Sequence, residues 1–144
     1  MMSLLKVVVL FFFTTIAFAQ GVVINYPQNG ASVPAGQDLT VQVVRPDTIT
    51  GSQEVAVVIG LESCTSQSCP SPVDVMGDIL HNGPYNPQFQ QPNLPPFQPY
   101  QNFTVAIPAS WAKGAAQLNV AHFTLIGAGP FPDLETLKVS LTIV

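Results

Sequence analysis

The sequence predicts an all-β protein, an immunoglobulin-like antiparallel β-sandwich of about seven strands. Three observations predict it. Short segments alternate apolar and polar side chains, most cleanly where Phe103, Val105 and Ile107 interleave with Asn102, Thr104 and Ala106; such alternation marks a half-buried strand. Clusters of Gly, Pro and Asn separate these segments at roughly regular spacing. No segment carries the apolar period of an amphipathic helix.

The elements follow in order. Residues 22–26 (VVINY) form a first strand closed by Pro27, and PQNGASVPAG (27–36) reads as a turn. Residues 38–45 place Leu39, Val41 and Val43 on one face. After a turn at 46–51, residues 53–61 (QEVAVVIGL) are richer in apolar residues throughout, which suits a central strand covered at least partly on both faces. Residues 73–80 (VDVMGDIL) read as a weaker edge strand, with Gly77 at a bulge or kink. Residues 82–101 hold six of the fourteen prolines and read as a long loop with polyproline-II character. Its aromatics Tyr85, Phe89, Phe97 and Tyr100 either pin the loop across the sandwich or offer a partner-binding arm, and the two roles are compatible. The strand at 102–107 ends at Pro108, a corner follows to Gly114, and residues 115–125 form the next strand. A turn at 127–132 leads to the last strand, 134–144, with Leu137, Val139, Leu141 and Ile143 on one face.

The amino terminus reads as a secretion signal. Met1 to Lys6 are weakly positive, 7–17 (VVVLFFFTTIA) form a short apolar core, and Ala17-Phe18-Ala19 fits a cleavage site before Gln20. That core is shorter than the roughly 20 apolar residues a membrane span needs. The expected organisation is a signal peptide at 1–19 and a single sandwich domain at 20–144, secreted and extracellular. The mature chain then carries Arg45, Lys113 and Lys138 against eight carboxylates, a net charge of −5. With no basic patch, nucleic acid and anionic membranes are excluded as expected partners.

Cys64 and Cys69 are the only cysteines. In an oxidising compartment they read as one local disulfide, which over so short a loop contributes about 2 kcal/mol. A zinc site recruiting His81 and His122 is not expected, because 40 residues separate two histidines that zinc-finger spacing keeps three to five apart. No cofactor is expected. Asn102-Phe103-Thr104 is the one N-glycosylation sequon, and its asparagine faces away from the apolar side.

Catalysis is not expected. His122 shares a strand face with Leu118 and Val120 and reads as a core or boundary residue, while His81 sits at the mouth of the long loop. Neither has a nucleophile elbow nearby. Asp74 and Asp78, four apart on the proposed edge strand, would lie about 13 Å apart at strand rise, beyond the roughly 5–9.5 Å of glycosidase carboxylates. Carbohydrate binding would need exposed planar aromatics. Trp111, the single tryptophan, reads as a plug at the corner, which leaves Tyr26, Tyr85 and Tyr100 as candidate platforms.

Residues 54–61 (EVAVVIGL), 103–129 (FTVAIPASWAKGAAQLNVAHFTLIGAG) and 134–144 (LETLKVSLTIV) resemble the necrosis-inducing secreted protein (Nis-type) family of fungal effectors. The IPAS-x-x-KG corner at 107–114 is the most specific part. The resemblance implies a small secreted β-protein with no catalytic motif. It also implies a protein partner, since members are described as suppressing plant pattern-triggered immunity by binding receptor-associated kinases. The Cys64–Cys69 loop and the Pro/Gln-rich arm depart from the shorter form of the family. The opening INYPQNGASVPAGQDLTVQV also resembles fungal cell-wall sandwich domains of the glucan-assembly type, so a cell-wall glycan is the alternative partner. Copper-dependent fungal oxidases of sandwich form begin with histidine after cleavage, whereas Gln20 is expected here.

Overall fold

The computed structural model describes residues 21–90 and 97–144; the expected signal peptide at 1–19 lies outside the described residues. Among the described residues there are eight strands and no helix: β1 (Val23–Tyr26), β2 (Ala31–Val33), β3 (Asp38–Val44), β4 (Ser52–Ser63), β5 (Asp78–Pro84), β6 (Tyr100–Ala106), β7 (Gly114–Ile126) and β8 (Phe131–Ile143). They form a three-stranded sheet, β1-β3-β6, and a five-stranded sheet, β2-β8-β7-β4-β5.

The alternation in the sequence decides which side of each sheet is dry. Phe103, Val105 and Ile107 are buried, while Asn102, Thr104 and Ala106 are exposed. Leu39, Val41 and Val43 of β3 join them from the same sheet. The five-stranded sheet contributes Val57, Ile59 and Leu61 of β4, Leu118 and Val120 of β7, and Val139, Leu141 and Ile143 of β8. One apolar core therefore lies between the two sheets. Trp111 packs against its margin, as a corner plug should.

Three expectations need correction. Among the described residues there are eight strands where about seven were expected, because β2 lies inside the segment read as a turn. Three residues are too few for alternation to be visible. β2 pairs with β8 in parallel, so the structure is not wholly antiparallel. The edge strand begins at Asp78 and runs to Pro84, so the first three residues of the supposed loop at 82–101 are strand, as are Tyr100 and Gln101 at its far end.

The segment before β5 serves a different purpose. It crosses the outer face of the five-stranded sheet as a strap, and β7 supplies its hydrogen bonds. Gln117 Nε2 donates to Pro70 O at 2.8 Å, and Asn119 Nδ2 donates to Val75 O and Met76 O, each at 3.3 Å. Both amides are buried. The crossing is close enough that β4 and the strap need glycine where they meet. A Cβ on Gly60 would stand 2.1 Å from Met76 O, and one on Gly77, whose φ is +76°, would stand 2.2 Å from Leu61 O. Gly77 is therefore the kink expected from the sequence, placed just ahead of the strand.

Gly60→Ala is expected to force the strap off β4 and destabilise the protein by about 1–3 kcal/mol, the usual range for overpacking. Gly83→Ala, whose added Cβ would meet only His81 atoms at 3.4 Å or more, should stay within about 0.5 kcal/mol of wild type. Urea unfolding midpoints at unchanged slope check both.

Candidate functional site

The most unusual chemistry lies inside the fold. β4 carries a register shift between Glu54 and Ala56, and Glu54 turns its carboxylate toward the buried face of β7. There His122, wholly buried, donates from Nε2 to Glu54 Oε2. Arg45, just past β3 and also buried, donates from Nε to Glu54 Oε1 at 2.8 Å. Its remaining donors reach Pro46 O at 2.9 Å and Ser52 Oγ at 2.9 Å. The Ser52 hydroxyl donates to Glu54 Oε1 at 2.6 Å, and the Thr124 hydroxyl is shared between Gln53 O at 3.1 Å and Glu54 Oε1 at 3.2 Å. On the other side of the imidazole, Glu135 of β8 holds Oε2 3.6 Å from His122 Nδ1. That is too long for a hydrogen bond, so Glu135 acts on the ring as a charge. Glu135 Oε1 accepts the Val22 amide at 3.1 Å and ties down the start of the described chain. The edge of His122 meets the Tyr85 ring, centroids 5.4 Å apart, and the Tyr85 hydroxyl donates to Val43 O at 3.1 Å.

With His122 protonated the cluster holds two cations and two anions and is neutral. Burial alone would push Glu54 up, but His122, Ser52 and Arg45 outweigh it and hold the carboxyl at about 2. Burial pushes the His122 imidazole down, and the Glu135 and Glu54 carboxylates reverse that and hold it above its ordinary 6.5. Burial pushes the Tyr85 hydroxyl up, and the Glu54 charge adds to the shift. The Glu54 carboxylate stands between the serine and the imidazole, so Ser52 meets the carboxylate and not His122, and His122 does not reach solvent. The cluster holds matched charges inside the fold, and its Arg45 and Ser52 also line a surface depression beside Pro46, Asp47 and Thr48. Reading His122 as a core residue was correct, but the sequence analysis missed its partners. The available signal was Glu54 inside an otherwise apolar strand, together with Arg45, the only arginine.

The structure separates the other singled-out residues. Cys64 and Cys69 are joined, with their Cα atoms 5.0 Å apart, at the point where β4 leads into the strap. Asp74 lies in a turn and Asp78 opens β5, so the two carboxylates do not share a strand face. Of the loop aromatics, Tyr85 is only 2% exposed and belongs to the core, so it cannot be a contact residue for a partner. Tyr100 is half-buried in β6 and exchanges both backbone hydrogen bonds with Gln88, each at 3.1 Å. Phe89 and Phe97 are 60% and 56% exposed. The arm is thus anchored at both ends and shows two phenylalanines between them. Asn102 is exposed on β6. Among the described residues no group of three or more His, Cys, Asp or Glu side chains could hold a metal ion, and no helix is long and apolar enough to cross a membrane.

Two sheets around one core, with an aromatic arm at the surface, define a small β-protein. The Nis1 family matches residues 17–142, nearly the whole chain, and the chain belongs to that family. Membership supports an effector-like class of protein. No curated protein matches the chain.

The charge cluster fixes how stability depends on pH. His122, raised above 6.5, contributes stability that is complete below that unfolded value and lost as pH rises through its folded value. Glu54, held at about 2, contributes stability present above its unfolded value of 4.5 and lost as pH falls toward 2. Stability is expected to peak between 4.5 and 6.5 and to decline on both sides. Thermal midpoints measured from acid to alkaline pH test this, and His122→Gln should flatten the alkaline limb. Glu54→Gln, which leaves buried Arg45 without its counter-charge, should cost about 3–5 kcal/mol. A wild-type midpoint that rises steadily through neutral pH would contradict the protonated His122.

Proposed function

We infer that this protein is a secreted, effector-like binding protein that engages a protein partner through the Pro/Gln-rich arm and performs no catalysis. The observation that carries the reading is the arm itself. Tyr85 and Tyr100 fix its ends while Phe89 and Phe97 remain more than half exposed. Phe97 also holds φ at +58°, a conformation that costs a bulky residue about 1–3 kcal/mol and is kept where the surroundings or function demand it. Exposed aromatic side chains, phenylalanine among them, are enriched at the cores of protein interfaces. By resemblance, the partner class is a receptor-associated kinase of a plant host, and the expected signal at 1–19 delivers the protein outside the producing cell.

The strand connectivity supports the immunoglobulin-like reading. β1, β3 and β6 stand as the A, B and E strands of such a domain, and β5, β4, β7 and β8 as C′, C, F and G. In domains of this kind, loops at the ends of the sandwich carry recognition while the sheets hold them in place.

A second reading, association with cell-wall polysaccharide, is favoured by Tyr26, which is 49% exposed on β1 beside the Gln42 amide of β3. An aromatic beside polar groups is the minimum a sugar platform requires.

Affinity capture from plant extract separates the two readings. The double substitution Phe89→Ala, Phe97→Ala is expected to abolish capture of a receptor-like kinase, with at least about tenfold weaker binding per residue and an unchanged unfolding midpoint. Retention on glucan or chitin that survives this change and disappears in Tyr26→Ala would instead establish the polysaccharide reading. Turnover of a polysaccharide would overturn the non-catalytic assignment.

A further inference from the structure

An open strand edge is a template for pairing with another chain. Proteins blunt such edges by keeping strands short, or by bulges, prolines or charges. This fold has four edges. β2 is three residues long and is followed by Pro34. β1 has four residues, a register shift between Ile24 and Tyr26, and Pro27 beyond it. β5 carries Asp78 and Pro84 and is shifted in register against β4. β6 has none of these devices. It runs for seven residues (YQNFTVA) without charge or proline and pairs with β3 through seven unbroken positions.

The hydrogen-bond phase of β6 can be read from its ends. Arg45 N donates to Pro99 O at 2.8 Å and Ile107 N to Gln37 O at 3.0 Å. Odd-numbered residues therefore exchange backbone bonds with β3, and even-numbered residues face the open edge. Tyr100 confirms the phase, since its backbone bonds go outward to Gln88. Asn102, Thr104 and Ala106 come next along that edge, and among the described residues no strand pairs with them.

What β6 has in place of a protective device is the sequon. We propose that Asn102 carries an N-linked oligosaccharide, and that this glycan shields the open edge of the three-stranded sheet against pairing with a second copy of the chain. The side-chain geometry fits. Asn102 Oδ1 accepts from Gln42 Nε2 at 3.1 Å, and Gln42 Oε1 in turn accepts from Asn25 Nδ2 at 2.6 Å. This row of amides across β1, β3 and β6 uses the Asn102 carbonyl oxygen, and among the described residues Nδ2 donates to none. Asn102 and Thr104 are both exposed. Attachment joins Nδ2 to C1 of an oligosaccharide carried on a lipid diphosphate. The C1–oxygen bond breaks, the lipid diphosphate leaves with the electron pair, and one amide proton is released. The remaining carbonyl oxygen can still accept from Gln42, so the sugar is held at the edge and not across the face.

The proposal rests on secretion, and the test keeps the two apart. The full chain is expressed in a fungal secretory host, and the medium is analysed by intact mass before and after endoglycosidase treatment, then by size-exclusion chromatography with light scattering. Wild type is expected to be exported with one glycan and to remain monomeric. Enzymatic removal of the glycan, Asn102→Gln and Thr104→Ala should each give dimers or larger species, with at least tenfold tighter self-association. Thr104→Lys lacks the sequon but places a charge at the edge, and it should be monomeric. Export of an unmodified wild-type chain would overturn the glycan assignment and leave the secretion reading intact. Failure of export would overturn the secretion reading itself. A deglycosylated protein that stays monomeric at every concentration would overturn the shielding role.

Discussion

Strand β7 is buried on both faces, and the rest of the molecule is arranged to satisfy that constraint. On one side Leu118, Val120, His122 and Thr124 face the shared core, and on the other Gln117 and Asn119 lie beneath the strap. A polar group removed from water without a partner costs about 1–3 kcal/mol, so each of these polar side chains needs a partner held in place. The imidazole finds one carboxylate as a hydrogen-bond acceptor and a second as a nearby charge, and the amides find carbonyls of a segment that has no sheet of its own. The bulge in β4, the glycines at the crossing and the position of Glu135 on β8 all serve these contacts.

The buried cluster decides between two opposing effects. Desolvation penalises every charge in it, and for His122 and Glu54 burial is the largest single influence on ionisation. Mutual attraction wins because the four groups alternate in sign and because Ser52 and Thr124 occupy carboxylate lone pairs that would otherwise be bare. An arrangement of this kind contributes little to net stability, yet removing one partner is costly because it leaves a buried charge unmatched. It also joins the ends of the fold. Glu135 holds the Val22 amide and Arg45 sits beside Pro99, whose carbonyl accepts its backbone N–H.

Much of the fold was legible in the sequence. Phe103, Val105 and Ile107 alternate without interruption, as do Leu137, Val139, Leu141 and Ile143, because their other faces meet water and period two survives. Legibility failed where a second covering or a short length removed that contrast. β2 has three residues. Gln117 and Asn119 look like solvent-facing amides, and only the three-dimensional path of residues 70–76 makes them interior. Tyr85 could not be told from Phe89 by sequence, since both sit among Pro, Asn and Gln. What separates them is that Tyr85 lies one residue beyond β5, with its amide still bonded to Val55 O at 3.2 Å. Its hydroxyl has a buried acceptor within reach, and Phe89 has no polar tip to satisfy. The arm was recognisable as an arm. Which of its aromatics were anchors was not.

The strap has one further consequence. Gln117 and Asn119 hold it by its main-chain oxygens, and a carbonyl is the same whatever residue bears it. Thr65, Ser66, Gln67, Ser68 and Val73 point into water while the peptide units around Pro70 and Met76 do the fastening. Sequence drift there would alter the outward display without loosening its mooring, much as a picture can be changed in a fixed frame.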